Sequence, residues 1–258
     1  MRNIVTIAQK ELRSYFSSPI GYVLIGFWAF LFGWFYINIL AYFVRQSMQM
    51  AAAMGGAPSV NINQDMLRPL LYNVTILVLF VLPGVTMRTY SEEKRSGTIE
   101  LLLTSPITDF QIIMGKFFGA LALYALMLMV TWLHIGLLFV YGSPEWKPIV
   151  VAYLGLLLLG ACFISIGLFI SSLTKNQVVS FMATFSIFLF LWVISWISTS
   201  SWASPSVASV ASYLSIVDHF DDFGKGVVDT THLIYYLSFI TFGLFLTAKS
   251  VDSERWRG

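Results

Sequence analysis

Six apolar runs, each long enough to cross a bilayer, constrain this chain more than any other feature. They are Ile20–Val44, Leu67–Met87, Ile112–Tyr141, Ile149–Leu173, Val178–Ile197 and His232–Ala248. About 20 apolar residues suffice to span the hydrocarbon core as a helix, and there only helices and closed barrels satisfy their own backbone. No strand-period alternation is present. The expected fold is therefore an all-α integral membrane protein, with residues 1–258 forming one transmembrane domain of six helices. Charged residues make up 11% of the chain, against about a quarter in soluble domains, which excludes a soluble globular protein. The net charge of +2 is too small to argue for nucleic acid. Cys162 is the one cysteine and lies inside an apolar run, leaving no disulfide or zinc framework within the chain.

Residues 1–19 precede the first run. Ile4, Val5, Ile7, Ala8, Leu12, Tyr15 and Phe16 fall on one helical face, and Asn3, Thr6, Gln9, Lys10 and Arg13 fall mostly on the other. This pattern fits an amphipathic helix in the headgroup region, with Lys10, Glu11 and Arg13 as its charged candidates, or a helix packed on a protein partner. Ser17-Ser18-Pro19 ends it. The run that follows is too long for the apolar part of a signal peptide and lacks a small-residue cleavage site. Residues 45–66 read as a polar linker containing Gly55-Gly56-Ala57-Pro58, and Pro83-Gly84 as a kink or unwinding point near the end of the second run.

Residues 88–111 are the most charged stretch of the chain. Gly97 fits a helix N-cap with Glu100 three residues on, a weak form of the capping box. Thr98–Thr104 would then make about two turns, exposing Ile99, Leu101, Leu102 and Leu103 beside Glu100, and Pro106 would stop them at Ser105. Thr108 and Gln111 form a second capping box that opens the third span, with Asp109 in its first turn. A leucine run mixed with charge suits docking into a groove on a partner, whereas a loop that only joins two spans needs no leucines. Basic residues set the orientation. With the N-terminus inside, the inner segments hold 11 Lys and Arg and the outer segments 4, so both termini and residues 88–111 are expected in the cytoplasm.

The segment Glu92-Glu93-Lys94-Arg95-Ser96-Gly97-Thr98-Ile99-Glu100-Leu101-Leu102-Leu103-Thr104-Ser105-Pro106-Ile107 resembles the ABC-2 class of ABC transporter permeases. The resemblance is greatest to the gliding-motility permeases, with the nitrous-oxide-reductase maturation permeases as relatives. Lys10-Glu11-Leu12 through Tyr22, Ser171–Gln177, His219-Phe220 and Lys225–Asp229 carry it along essentially the whole chain. It implies a half-transporter in the bacterial inner membrane, moved by a separate cytoplasmic ABC ATPase that holds ATP and Mg. A second permease copy or paralogue would complete the membrane unit, and an outer-facing auxiliary protein could join it. Residues 88–111 would supply the coupling helix. Glu92, Glu93, Arg95, Gly97, Thr98 and Glu100 would belong to the coupling segment, with Ile99, Leu101 and Leu102 filling the ATPase cleft. Residues 198–231 would form short outer or re-entrant helices, for which Val207, Val210, Ala211, Leu214 and Val217 have the spacing.

The sequence has no Gly-x-x-x-x-Gly-Lys-[Ser/Thr], so the chain carries no phosphate-cradling loop and is not expected to be an enzyme. It also lacks His-Glu-x-x-His, Gly-x-Ser-x-Gly and a paired intramembrane Asp, which argues against an intramembrane hydrolase. The absence of clustered carboxylates in the spans argues against a proton-coupled transporter. A non-transporting anchor that tethers a cytoplasmic protein through residues 88–111 is the alternative reading. His219 and His232 with Asp218, Asp221, Asp222 and Asp229 match no metal-ligand spacing. Met48, Met50, Met54 and Met66 read as flexible packing rather than a Cu(I) site. Asn38 and His134 are polar groups within spans, suited to bonding a neighbouring helix.

Overall fold

The computed structural model describes residues 2–54, 60–103, 107–198, 200 and 204–255, without the side chains of 54, 101–103 and 255. All regular structure among them is helical, and six helices are long and apolar enough to cross a membrane. The order is α1 (Arg2–Ser17), α2 (Pro19–Met54), a π-helical turn (Ile62–Leu67), α3 (Arg68–Thr86), α4 (Ser91–Ser96), α5 (Thr98–Leu103), α6 (Asp109–Tyr141), α7 (Trp146–Leu173), α8 (Gln177–Ser198), α9 (Pro205–Leu214), α10 (Asp218–Gly224) and α11 (Thr230–Arg255). The Gly55–Pro58 linker and the stop at Ser105-Pro106 lie outside the described residues.

Several helices outrun their apolar cores. Residues 45–54 continue α2 instead of opening a linker, because Gln, Met and Ala are good helix formers. At 1.5 Å per residue the 36-residue α2 is about 54 Å long, well beyond the hydrocarbon core. Residues 249–255 likewise continue α11 past its last apolar turn. Pro83 sits inside α3, which runs on through it to Thr86, and the Met87 amide donates to the Pro83 carbonyl at 2.9 Å. Pro19 starts α2, the position where a missing amide hydrogen costs nothing.

Helices α3 and α7 form the centre. In their apolar windows 72% and 67% of residues are buried, against 17% in α2 and α11, which leaves the latter at the periphery of the bundle. Close packing on α7 depends on small residues, as in other helix pairs within lipid. A Cβ at Gly160 would lie 2.1 Å from the ring of Tyr124 in α6, whose hydroxyl donates to the Leu156 carbonyl at 3.0 Å. The same holds where α1 meets α6. A Cβ at Gly115 or at Gly119 would come within 2.6 Å of Ile7 or Glu11 respectively. Thus α1 is seated in a notch on the third span as well as presenting an exposed face.

The hairpin between α8 and α11 contains α9 and α10. Ser204 caps α9 by accepting from the Val207 amide. Of the expected apolar face, Ala211 and Val217 are buried, and Val207, Val210 and Leu214 are exposed.

Gly160→Ala should therefore lower the thermal midpoint of the detergent-purified protein by several degrees, since overpacking costs about 1–3 kcal/mol. Gly26→Ala, with nothing within 4 Å of the new methyl, should leave the midpoint unchanged. Fluorescence-monitored unfolding of both variants distinguishes them.

Candidate functional site

Residues 88–103 fold into two short helices rather than one. Gly97 stands at the junction of α4 and α5, directly before the first residue of α5 as expected. It adopts φ 72°, ψ 1° and closes α4 as a left-handed C-cap, and α5 starts immediately after it at Thr98. The local pattern is Ser-Gly-Thr after a basic last turn, which suits a glycine stop. The first amides of α4 also lack a local side-chain cap. They are met from a distant helix: Ser171 Oγ, in the last turn of α7, accepts from the amides of Tyr90 and Ser91 at 3.1 and 3.2 Å.

Ion pairs fix α4 to the end of the bundle that carries α1 and the end of α11. Lys116 of α6 is 1% exposed, and its ammonium has three partners. It lies 2.9 Å from Glu11 Oε1 of α1 and 2.9 Å from Glu93 Oε2 of α4, and donates to the Thr89 carbonyl at 2.7 Å. Lys10 approaches the other Glu93 oxygen at 3.4 Å. Two carboxylates and two ammonium groups thus sum to zero charge, with Lys116, Glu11 and Glu93 largely buried and Lys10 at the exposed rim. On the other flank, Lys94 is 2.6 Å from Glu254 in the extended end of α11. Arg88 pairs with Glu92 at 2.8 Å and donates to Ser18 Oγ at 3.3 Å. Beneath these pairs the Tyr15 hydroxyl donates to the Val85 carbonyl at 2.8 Å; burial raises its pKa, so it remains a neutral donor.

The expected coupling residues therefore divide by direction. Glu92, Arg95, Gly97, Thr98 and Glu100 are exposed. Glu93 and Ile99 are turned into the protein, Ile99 with 9% of its surface left. The side chains of Leu101 and Leu102 lie outside the described residues. On α1, Lys10 and Arg13 are exposed and Glu11 is committed to Lys116. Thr108 caps α6 as expected by accepting from the Gln111 amide, and the Gln111 side chain accepts from Asn3 Nδ2 at 3.1 Å, a further tie to α1. Sequence reasoning missed Lys116 and Ser171. A lysine five residues into an apolar run was the available signal for the first; nothing local marks Ser171.

Other candidates look less suited to chemistry. Asn38 donates to its own helix at the Trp34 carbonyl, 2.8 Å away, and His134 is packed against the rings of Phe32 and Tyr36. Among the described residues no three His, Cys, Asp or Glu side chains are grouped to hold a metal ion. Met66 is fully buried, while Met48 and Met50 are exposed.

With the helices and the ion-paired platform in place, relatives can be compared. The family model described as ABC-2 family transporter protein matches residues 5–244. The chain belongs to the ABC-2 family. A probable multidrug ABC transporter permease, YbhR of Escherichia coli K12, is 27% identical over 143 residues, which is 55% of this chain and 38% of the relative. The same protein from Escherichia coli O157:H7 matches to the same extent. The aligned stretch thus spans well under half the length of these relatives. Membership of a permease family accords with a chain whose described surface is built of spans and ion-paired helix ends.

Two measurements probe this ABC-2 platform. Lys116→Met leaves two carboxylates facing each other without their cation and should cost about 3–5 kcal/mol, with part recovered in Lys116→Met/Glu93→Gln. Gly97→Val must hold a β-branched residue at positive φ and should cost about 1–2 kcal/mol. Thermal unfolding reads the first, and limited proteolysis between α4 and α5 reads the second.

Proposed function

We propose that this chain is the membrane-spanning permease subunit of an ATP-driven transporter, in which a separate cytoplasmic ABC ATPase drives the spans through α4–α5. The observation that carries this reading is the attachment of α4: Ser171 ties it to α7, Lys116 to α6 and α1, and Glu254 to α11. A load applied there reaches four helices together. ATP and Mg would bind to the ATPase and not to this chain. Nucleotide-driven closure of the ATPase pair would shift the spans between two arrangements.

In this reading Glu92, Arg95, Thr98 and Glu100 meet the ATPase, and Leu101 and Leu102 enter its cleft. Glu93 and Ile99 serve from inside by holding the helix in place, and Gly97 is the joint between α4 and α5. The 11-to-4 excess of basic residues supports a cytoplasmic position for both termini and for α4–α5, in the bacterial inner membrane. A second permease copy or a paralogue completes the unit, and an outer-facing auxiliary protein is a further partner. The gliding-motility subfamily is the finer assignment we favour from the coupling segment. The apolar spans favour export of lipid, hydrophobic or macromolecular cargo. The relatives' multidrug name is compatible with a hydrophobic one.

The test is reconstitution in vesicles with the ABC ATPase that co-purifies with the chain. Arg95→Glu and Leu101→Asp should abolish co-purification. Lys116→Met should retain ATPase binding yet lower transport-linked ATP turnover about tenfold, equivalent to about 1.4 kcal/mol of lost coupling. Turnover indifferent to all three variants refutes the coupling role. Coupled turnover without measurable flux of any apolar cargo favours the anchor.

A further inference from the structure

We propose that His219 and His232, at the end of the bundle opposite the ion-paired platform, form a binding site for one proton that clasps the α9–α10 hairpin to α11. Nδ1 of His219 lies 2.6 Å from Nδ1 of His232. At one end of this pair, His219 Nε2 is 3.1 Å from the Tyr213 carbonyl oxygen. At the other, His232 Nε2 is 2.9 Å from Asp222 Oδ2. The three contacts join the last turn of α9, α10 and the first turn of α11 in a single chain of hydrogen bonds.

Counting protons along that chain gives the inference. A carbonyl oxygen only accepts. The Asp222 carboxyl is held below its ordinary range by hydrogen bonds from Lys225, 2.8 Å from its other oxygen, and from His232, so it accepts as a carboxylate. Both terminal ring nitrogens must then carry hydrogens. The central contact needs one more, shared between two nitrogens. Three ring protons are required, and two neutral imidazoles carry two. The chain is complete only when the pair holds one extra proton, which belongs to the pair as a unit.

The surroundings favour that proton at one end and resist it at the other. Asp218 and Asp221 share α10 with His219 and Asp222, and Asp229 lies just before α11. Asp221 pairs with Arg68 of α3 at 2.6 Å and with Lys225 at 2.7 Å; Asp218 accepts from Ser198 of α8 at 2.7 Å. Asp221, Asp222 and Asp229 are held below the ordinary carboxylate range and Asp218 is pushed above it by burial, so carboxylates outnumber the two cations Arg68 and Lys225 near the rings. On the α11 side the Tyr235 ring covers His219 at 3.8 Å between centroids, with Tyr236 beyond it, and Tyr213 flanks it from α9. Burial pushes His219 below its ordinary value. The added charge is therefore drawn to the Asp222 end.

The sign follows from the count. The closed clasp holds one proton more than two neutral rings, so it is stable at pH below the pair's first titration and lost as pH rises through it. A second added proton puts hydrogens on both Nδ1 atoms, facing each other across 2.6 Å, and opens the clasp again. Closure is confined to a pH window. The clasp also forms one wall of a cavity of about 650 Å³ lined by Tyr72, Ser198, Asp218, Asp222 and His232, so its opening changes access to that cavity.

The chain has three histidines, which makes the test direct. Full-length protein labelled with ¹⁵N-histidine in lipid nanodiscs should show, between about pH 6 and 7, one doubly protonated ring correlated through Nδ1 with its neighbour. The correlation should vanish above about pH 8 and weaken below about pH 5. Spin labels at Ser209→Cys and Ile234→Cys should report a narrow distance inside the window and a broad one on both sides. His232→Gln should abolish that pH response. Two neutral rings at every pH, or a correlation indifferent to pH from about 5 to 9, overturns the proposal, and the wild-type spectra decide this even if the variants fail to fold.

Discussion

The ammonium of Lys116 is the point on which the α1-bearing end of the bundle depends. It sits in the first turns of a helix that is otherwise apolar, 1% exposed, where an unpaired charge would be expelled or neutralised. It donates to Glu11 of α1 and to the Thr89 carbonyl before α4, and it is ion-paired with Glu93 of α4. The desolvation cost of such a group is recovered only with that geometry complete. Each of the three elements is consequently held in one position relative to α6. The neighbouring glycines serve the same end. Gly115 and Gly119 bring α1 close enough for Glu11 to reach Lys116, which a larger residue at either place would prevent.

The coupling role proposed above asks for a firm attachment, and α4 has one. α4 is only six residues long and would not be stable alone. Its amides are capped by Ser171 and its two flanks are charged into α6 and α11. The left-handed Gly97 then turns the chain into α5 without an intervening loop. The buried side of α4 packs on the protein, and the exposed side is where the proposed ATPase contact would lie. This division explains how one charge block contains both anchors and contacts: Glu93 and Lys94 face inward, and Glu92 and Arg95 face outward.

Long-period features were legible in the sequence. The apolar runs located the spans, Pro19 marked the break between α1 and α2, and Thr108 marked the start of α6, because each acts through residues within a turn or through bulk hydrophobicity. The helix overruns at residues 45–54 and 249–255 were hidden, since polarity there signalled an end that good helix formers did not obey. The pairings were hidden for another reason. Lys94 and Glu254 are 160 residues apart, Lys116 and Glu11 105 apart, and Ser171 and Tyr90 81 apart. No local pattern encodes such partners. Gly97 was visible as a boundary, but its second role, the left-handed stop of α4, was not, because the charge block before it gave no sign of a separate short helix.

The two ends of the bundle differ in how their charges are held, and this sets which end yields first. At the platform the Lys116 and Glu11 side chains keep 1% and 12% of their surface. At the opposite end Arg68, Asp221 and Lys225 keep 39%, 41% and 42%. Exposed pairs contribute roughly 0–1 kcal/mol each and weaken with salt, whereas buried ones are screened little. Rearranging the α9–α10 hairpin therefore breaks weak, water-accessible pairs, while separating α4 from α6 would strand buried charges. Under the proposed coupling, a displacement imposed at the platform would be passed on through the spans, and the hairpin would be the first to yield. Stiffness at the end where load would enter, and compliance at the other, is the distribution a protein needs if force on one side is to alter access on the other.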